Sequence, residues 1–180
     1  MSQNVQIRGA GGAVADVDPG SGGLAVIDAI HQRIHLGQLY SASLIDAALD
    51  AAASLEMLVR VPEGVTAHLR IGADSLNSCR LGLFEGTTLN AGEDPEGTPI
   101  VPVNRNRLSD NEADTELYSG PDVDADGATL FDRVVSWSTF GASPFEEFVL
   151  PEGDYLVRAT NVDGSAQPVS LMLDFYEEEV

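Results

Sequence analysis

The sequence predicts an all-β chain: an antiparallel β-sandwich, jelly-roll-like, with an extended N-terminal arm. Three observations lead there. Short apolar segments alternate with period two, which places every second side chain on one face of a strand. From residue 54 onward, turn signals built on Gly, Pro, Asn and Asp recur about every ten residues. Residues 1–23 hold six glycines and few large apolar groups, too little to pack a layer.

Taken in order, residues 1–23 form a Gly-rich arm, clearest in GAGGAVADVDPGSGG, with one short strand possible at Ala13–Val17. Residues 24–180 form the sandwich domain. LAVIDAI is a compact apolar segment, and HQRIHLGQLYSAS mixes polar and apolar residues around Gly37. LIDAALDAAAS (44–54) is the one helix-like run, rich in Ala and Leu with Ser43 able to cap it. An irregular strand connection is the other reading of that run.

LEMLVRV (55–61) then alternates, with Leu55, Met57, Val59 and Val61 on one face. PEGV turns the chain into TAHLRIGA (66–73), which puts Ala67, Leu69 and Ile71 together. CRLGLFEG (79–86) aligns Cys79, Leu81 and Leu83, and NAGEDPEGTP is a polar loop. IVPVNRNR (100–107), TELYSG, ATLFDRVVSW, FEEFVL, DYLVRATN and PVSLMLDFYEE complete the strands. PEGD between FVL and DYLVRATN reads as a hairpin turn.

The charge is unusual. There are 29 acidic residues against 9 basic ones, a formal charge of −20, and every basic residue is arginine. On a folded surface of this size the carboxylates stand roughly 17 Å apart. The screening length is about 10 Å at 0.1 M salt and about 3 Å at 1 M, so brine removes their repulsion. Such a surface, without lysine, suggests a halophilic origin. It also argues against nucleic acid as a partner, since scattered arginines make no basic stripe. No apolar run reaches membrane-spanning length, and MSQNVQIRGAGG lacks the charged-then-apolar pattern of a signal peptide. The single cysteine, Cys79, rules out an internal disulfide and reads as a small buried apolar residue.

Several segments in this order, IHLG after AVID, LFEGTT, TPIVPVNRNRLSDN, DGATLF, FVLPEGDYLVRATN and LDFYEEE, resemble a family of tailed-phage virion proteins identified as capsid decoration, auxiliary or head-fibre-like proteins. The resemblance spans roughly residues 24–179. Relatives carry LYEG and DWYE where this chain has LFEG and DFYE. The resemblance implies a structural role, not an enzyme: a decoration or cement protein on the outer capsid surface. Its partners would be the major capsid protein and copies of itself, a homotrimer being the first expectation. No cofactor is implied. With the acidity, it points to a tailed virus of a salt-loving archaeon. The Gly-rich arm is then a candidate for reaching a neighbouring subunit. A host-surface or carbohydrate-binding module of a virion spike or tail is the alternative, although one Trp, four Tyr and six Phe offer few aromatic platforms.

Three candidate sites follow from the residues. If 100–107 is one strand, Val101, Val103, Arg105 and Arg107 share a face and Ile100, Pro102, Asn104 and Asn106 the other. The strand would begin in the core and emerge from it. Arg105 and Arg107, with Asn104 and Asn106, then form a subunit contact, or the arginines pair internally with Asp110, Glu112 or Asp114. Asp122, Asp124 and Asp126 in DVDADG match the start of a calcium loop, but Arg133 stands where its bidentate Glu belongs, so an Asp–Gly turn is the simpler reading. His31 and His35 have helical metal-binding spacing, yet Gln32 replaces the usual Glu and Gly37 follows at once, which favours a packing role. For catalysis, no nucleophile elbow, phosphate loop or dinucleotide fingerprint occurs.

Overall fold

A computed structural model describes residues 29–136 and 146–179. They form one short helix, α1 (Ala29–His35), and thirteen strands. The strands are β1 (Leu39–Leu49), β2 (Ser54–Val61), β3 (Val65–Ser75), β4 (Ser78–Glu85), β5 (Thr88–Leu89), β6 (Thr98–Ile100) and β7 (Val103–Asn104). They continue with β8 (Glu116–Ser119), β9 (Val123–Ala125), β10 (Ala128–Ser136), β11 (Glu146–Leu150), β12 (Gly153–Asn161) and β13 (Gln167–Glu179). The Gly-rich arm and its Ala13–Val17 segment lie outside the described residues.

Eight strands make the sandwich. Sheet one has the order β11-β3-β13-β1 and sheet two β10-β4-β12-β2. All pairs are antiparallel, and they are nested: β4 pairs with β10, β3 with β11, β2 with β12 and β1 with β13. This is a long two-stranded ribbon rolled up. Rolling brings β13 beside β3 and β12 beside β4. The result is the jelly-roll topology.

Alternation dictates the core. Met57, Val59 and Val61, Leu81 and Leu83, and Val157 and Ala159 point in from sheet two. Ala67, Leu69 and Ile71, with Leu171, Leu173 and Phe175, point in from sheet one. Tyr40 packs on Phe175 with ring centroids 5.5 Å apart. Cys79 is fully buried among them, as expected of a small apolar residue. Each large side chain removed from water in this way contributes about 1.5–3 kcal/mol before the entropy of ordering is subtracted. Tyr155 is buried too, and burial pushes its hydroxyl up to about 12.

Of the two readings of 44–54 the irregular strand holds, and one turn expectation fails. The Ala-rich run at 44–54 is not helical: Leu44–Leu49 continue β1, paired along β13 from Leu39↔Tyr176 to Leu49↔Gln167. Cross-strand pairing outweighs the helix propensity of alanine, a preference of tenths of a kcal/mol per residue. The helical tendency survives only as an irregularity, a register shift between Asp46 and Leu49 where Asp46 Oδ1 accepts a hydrogen bond from the Ala48 N–H at 2.8 Å. The PEGD turn does not close a hairpin either. β11 lies in sheet one and β12 in sheet two, so the turn carries the chain across the sandwich.

The connection between β4 and β10 extends both sheets on their β1–β2 side. β7 adds to β1, while β8 and then β6 add to β2. Other parts of it reach strands β2 and β12. Arg60 meets Glu96 at 3.6 Å, and the Gly120 N–H donates to Glu56 O at 3.2 Å. On the face of sheet two directed away from the core, Leu58 and Leu156 are consequently as buried as core residues.

Candidate functional site

The polar segment 102–111 is where the structure departs most from the sequence-based expectation. It is not one strand. β6 ends at Ile100 in sheet two, and β7 holds only Val103–Asn104 in sheet one. Pro102, which has no N–H to donate, sits at the crossing between sheets. The faces are also inverted. Val101 and Val103 are exposed, at 86% and 52%, whereas Asn104 is buried.

The asparagines serve the helix. α1 ends in a Schellman arrangement, with Gly37 N–H donating to Ile34 O at 3.0 Å and Gln38 N–H to Arg33 O at 2.9 Å. Gly37 has φ +67°, and a Cβ there would stand 2.2 Å from Ser109 Oγ, so only glycine fits. The exposed carbonyls of this helix end need donors. Asn104 Nδ2 donates to Gly37 O (2.9 Å) and to Asn111 O (3.0 Å). Asn106 Nδ2 donates to His35 O at 3.0 Å, and Asn111 Nδ2 to Gly37 O at 3.2 Å. The same side chains hold their own loop, since Asn104 Oδ1 accepts from Asn106 N–H and Asn106 Oδ1 from Leu108 N–H.

The two arginines separate. Arg105 Nη1 donates to Asp174 Oδ2 at 3.3 Å, not to Asp110, Glu112 or Asp114. Arg107 points to solvent with no ion-pair partner among the described residues. Beside it Leu108 is 96% exposed. Val101 and Val103 in the same loop, and Leu36 after α1, are further exposed large apolar side chains, and three asparagines fix the loop backbone.

Next to this loop lies a cleft of about 610 Å³, lined by Arg33, Gln38, Tyr40, Asn111 and the carboxylates of Glu112, Asp114, Glu177 and Glu178. Tyr40 Oη donates to Glu112 O at 2.9 Å. Burial, and then the charges of Glu177, Asp114 and Glu112, raise the Tyr40 hydroxyl above its ordinary range. Glu177 accepts from the Thr115 N–H at 2.6 Å and the Asp114 N–H at 3.1 Å. Arg33 pairs with Glu178 and lies 4.6 Å from the Tyr176 ring centroid.

The aspartates of DVDADG do not converge. Asp122 accepts from Asn90 Nδ2 at 2.8 Å, Asp124 from Thr88 Oγ1 at 3.5 Å, and Asp126 takes both terminal nitrogens of Arg158 at 2.6 and 2.7 Å. The segment is the edge strand β9 paired with β5, which turns these side chains toward separate partners. Among the described residues no three His, Cys, Asp or Glu side chains form a metal-ligating group. His31 and His35, expected to pack, are both exposed on α1 and meet only each other edge-on among the ring contacts. Cys79 is held up from its ordinary range by burial, the opposite of an activated thiol. No helix among the described residues is long and apolar enough to cross a membrane.

Arg158 carries the best-built ion pair. It bonds Glu56 at 2.5 Å as well as Asp126, with its guanidinium 5.4 Å from the Phe84 centroid. The Arg158 bonds hold the Asp126 carboxyl below the usual carboxylate range. Arg158→Gln leaves two carboxylates facing each other, half-buried, and we expect a loss of about 2 kcal/mol, between exposed and buried pairs. Because the folded-state value of Asp126 is depressed, its pairing contributes fully above the unfolded range, about 3.9. That contribution fades as pH falls through the folded value. Urea midpoints of variant and wild type should therefore differ at pH 7 and draw together as pH falls through the depressed folded-state value of Asp126.

No protein-family model matches the chain, and no curated protein matches it.

Proposed function

We propose that this chain is a structural virion protein, a capsid decoration or cement protein that binds the outside of an assembled shell and stabilises it. Its partners are the major capsid protein and further copies of itself. The observation that carries the proposal is the loop 101–108. Val101 and Leu108 in it are 86% and 96% exposed, and Arg107 of the same loop is exposed and uncommitted. Solvent-exposed apolar groups around an arginine are the composition of a protein–protein contact. The asparagine bonds fix the loop in advance, which lowers the entropy lost on docking. Asn104, Asn106 and Arg105 are satisfied within the chain, so the contact proposed from the sequence narrows to Arg107 and its apolar neighbours.

The jelly-roll fold is compatible with this role, and equally with sugar binding, so the fold alone decides nothing. The acidic cleft beside Tyr40 is the observation that favours the second reading, because its volume suits a small hydroxylated ligand.

Co-sedimentation with undecorated shells of the cognate major capsid protein tests the proposal. Wild type should pellet with shells, and Arg107→Glu/Leu108→Ser should bind at least about tenfold more weakly, as expected when a central arginine and an apolar anchor are lost. Its melting temperature should be unchanged, since both side chains are exposed. Failure of the wild type to bind shells would overturn the proposal in favour of the ligand-binding module. Undiminished binding by the variant would remove this loop as the contact.

A further inference from the structure

We infer that His31 and His35 form a chelating site for a transition-metal dication of the Cu²⁺ or Ni²⁺ class. This does not depend on the virion reading. The two residues lie one turn apart on one face of α1, and both are exposed. Their Nε2 atoms stand 2.9 Å apart, with the rings edge-on and centroids separated by 4.6 Å.

That distance selects a geometry. Imidazole nitrogens bind such metals at about 2.0–2.1 Å, so two nitrogens 2.9 Å apart subtend about 90° at a shared ion. This is the angle between neighbouring ligands in a square-planar or octahedral complex, and it is narrower than the tetrahedral angle zinc prefers. Imidazole ligands in tetragonal geometry suit Cu²⁺ and Ni²⁺, and Cu²⁺ stands highest in the general affinity order. Mg²⁺ and Ca²⁺, which demand oxygen ligands, are not expected to compete at this pair.

The pair is also held. The Schellman end fixes the backbone of the turn, and Asn106 Nδ2 bonds the carbonyl of His35 itself. Between the two histidines in sequence, Arg33 anchors the helix to Glu178 and to the Tyr176 ring. Binding therefore replaces one weak Nε2–Nε2 hydrogen bond without ordering a helix. The net charge of −20 raises the local concentration of any dication. No third protein ligand converges among the described residues, so the remaining positions are open to water or to a donor from another molecule.

The test uses the full chain, titrated with CuCl₂ and separately with MgCl₂ by calorimetry, with electron paramagnetic resonance of the Cu²⁺ form. Wild type should take up one Cu²⁺ with a spectrum showing two equatorial nitrogens, and MgCl₂ should give no heat at this site. His31→Gln and His35→Gln should each weaken Cu²⁺ binding by at least roughly tenfold, since loss of even an outer-shell partner costs that much. His68→Gln should bind as wild type does, because His68 is engaged with Tyr176 on another element. Equal binding by the wild type and both helix variants would overturn the inference, as would a wild-type spectrum with one nitrogen or none.

Discussion

Replacing Asn161 by alanine is expected to lower stability by about 3 kcal/mol, the sum of several buried polar groups left without partners. Asn161 is fully buried. Its Nδ2 donates to Leu49 O (2.9 Å), Asp50 O (3.1 Å) and Ser165 O (2.9 Å). Its Oδ1 accepts from Gln167 Nε2 at 2.6 Å and from Asp163 N–H at 2.9 Å. Gln167 in turn accepts from the Asn77 N–H and donates to Ser78 O. These two amides therefore stitch together three loops and their flanking strand ends at one end of the sandwich: 50–53, 76–77 and 162–166. A methyl group replaces none of these bonds, and a buried group without a partner costs about 1–3 kcal/mol. Water entering the vacated space recovers part of it. In a domain of this size the loss corresponds to a fall in melting temperature of about 10 °C. Denaturant titration of the full chain measures it, and a loss under about 1 kcal/mol would mean that water satisfies the network.

Raising KCl from about 0.1 M to 2 M should increase the melting temperature by about 10 °C, the second large effect. The 29 acidic residues outnumber the arginines by 20. At roughly 17 Å, two unit charges in water repel by about 0.24 kcal/mol, and screening at 0.1 M cuts this roughly fivefold. With about six neighbours each, the summed repulsion is still of order 3–4 kcal/mol, and at 2 M it vanishes. The Arg158 pairs, half-buried and close, lose much less to screening. A melting temperature unchanged across this range would show that the carboxylates do not strain the fold, and would remove the argument for a halophilic origin.

The candidate loop was only half legible. The asparagine–arginine alternation marked the segment as unusual. The partners were out of reach, because Asn104 bonds Gly37 and Asn106 bonds His35, 67 and 71 residues away in the chain. Spacing along a strand says which side chains share a face. It does not say which face meets the core when the strand stops after two residues.

By itself, the sequence determined the class of the fold. Period-two alternation at Met57–Val61, Ala67–Ile71 and Cys79–Leu83 requires strands with one buried face, because a single-residue slip would expose the whole set. It also determined the burial of Cys79 and the dense negative surface. The tertiary structure decided the rest, wherever a local preference of tenths of a kcal/mol met a long-range contact worth more. It made Leu44–Leu49 a strand by pairing it with β13. It sent PEGD across the sandwich because the nested ribbon places β11 and β12 in different sheets. It left His31 and His35 in solvent because α1 rests on the sandwich through Arg33, the side chain on the face they do not share.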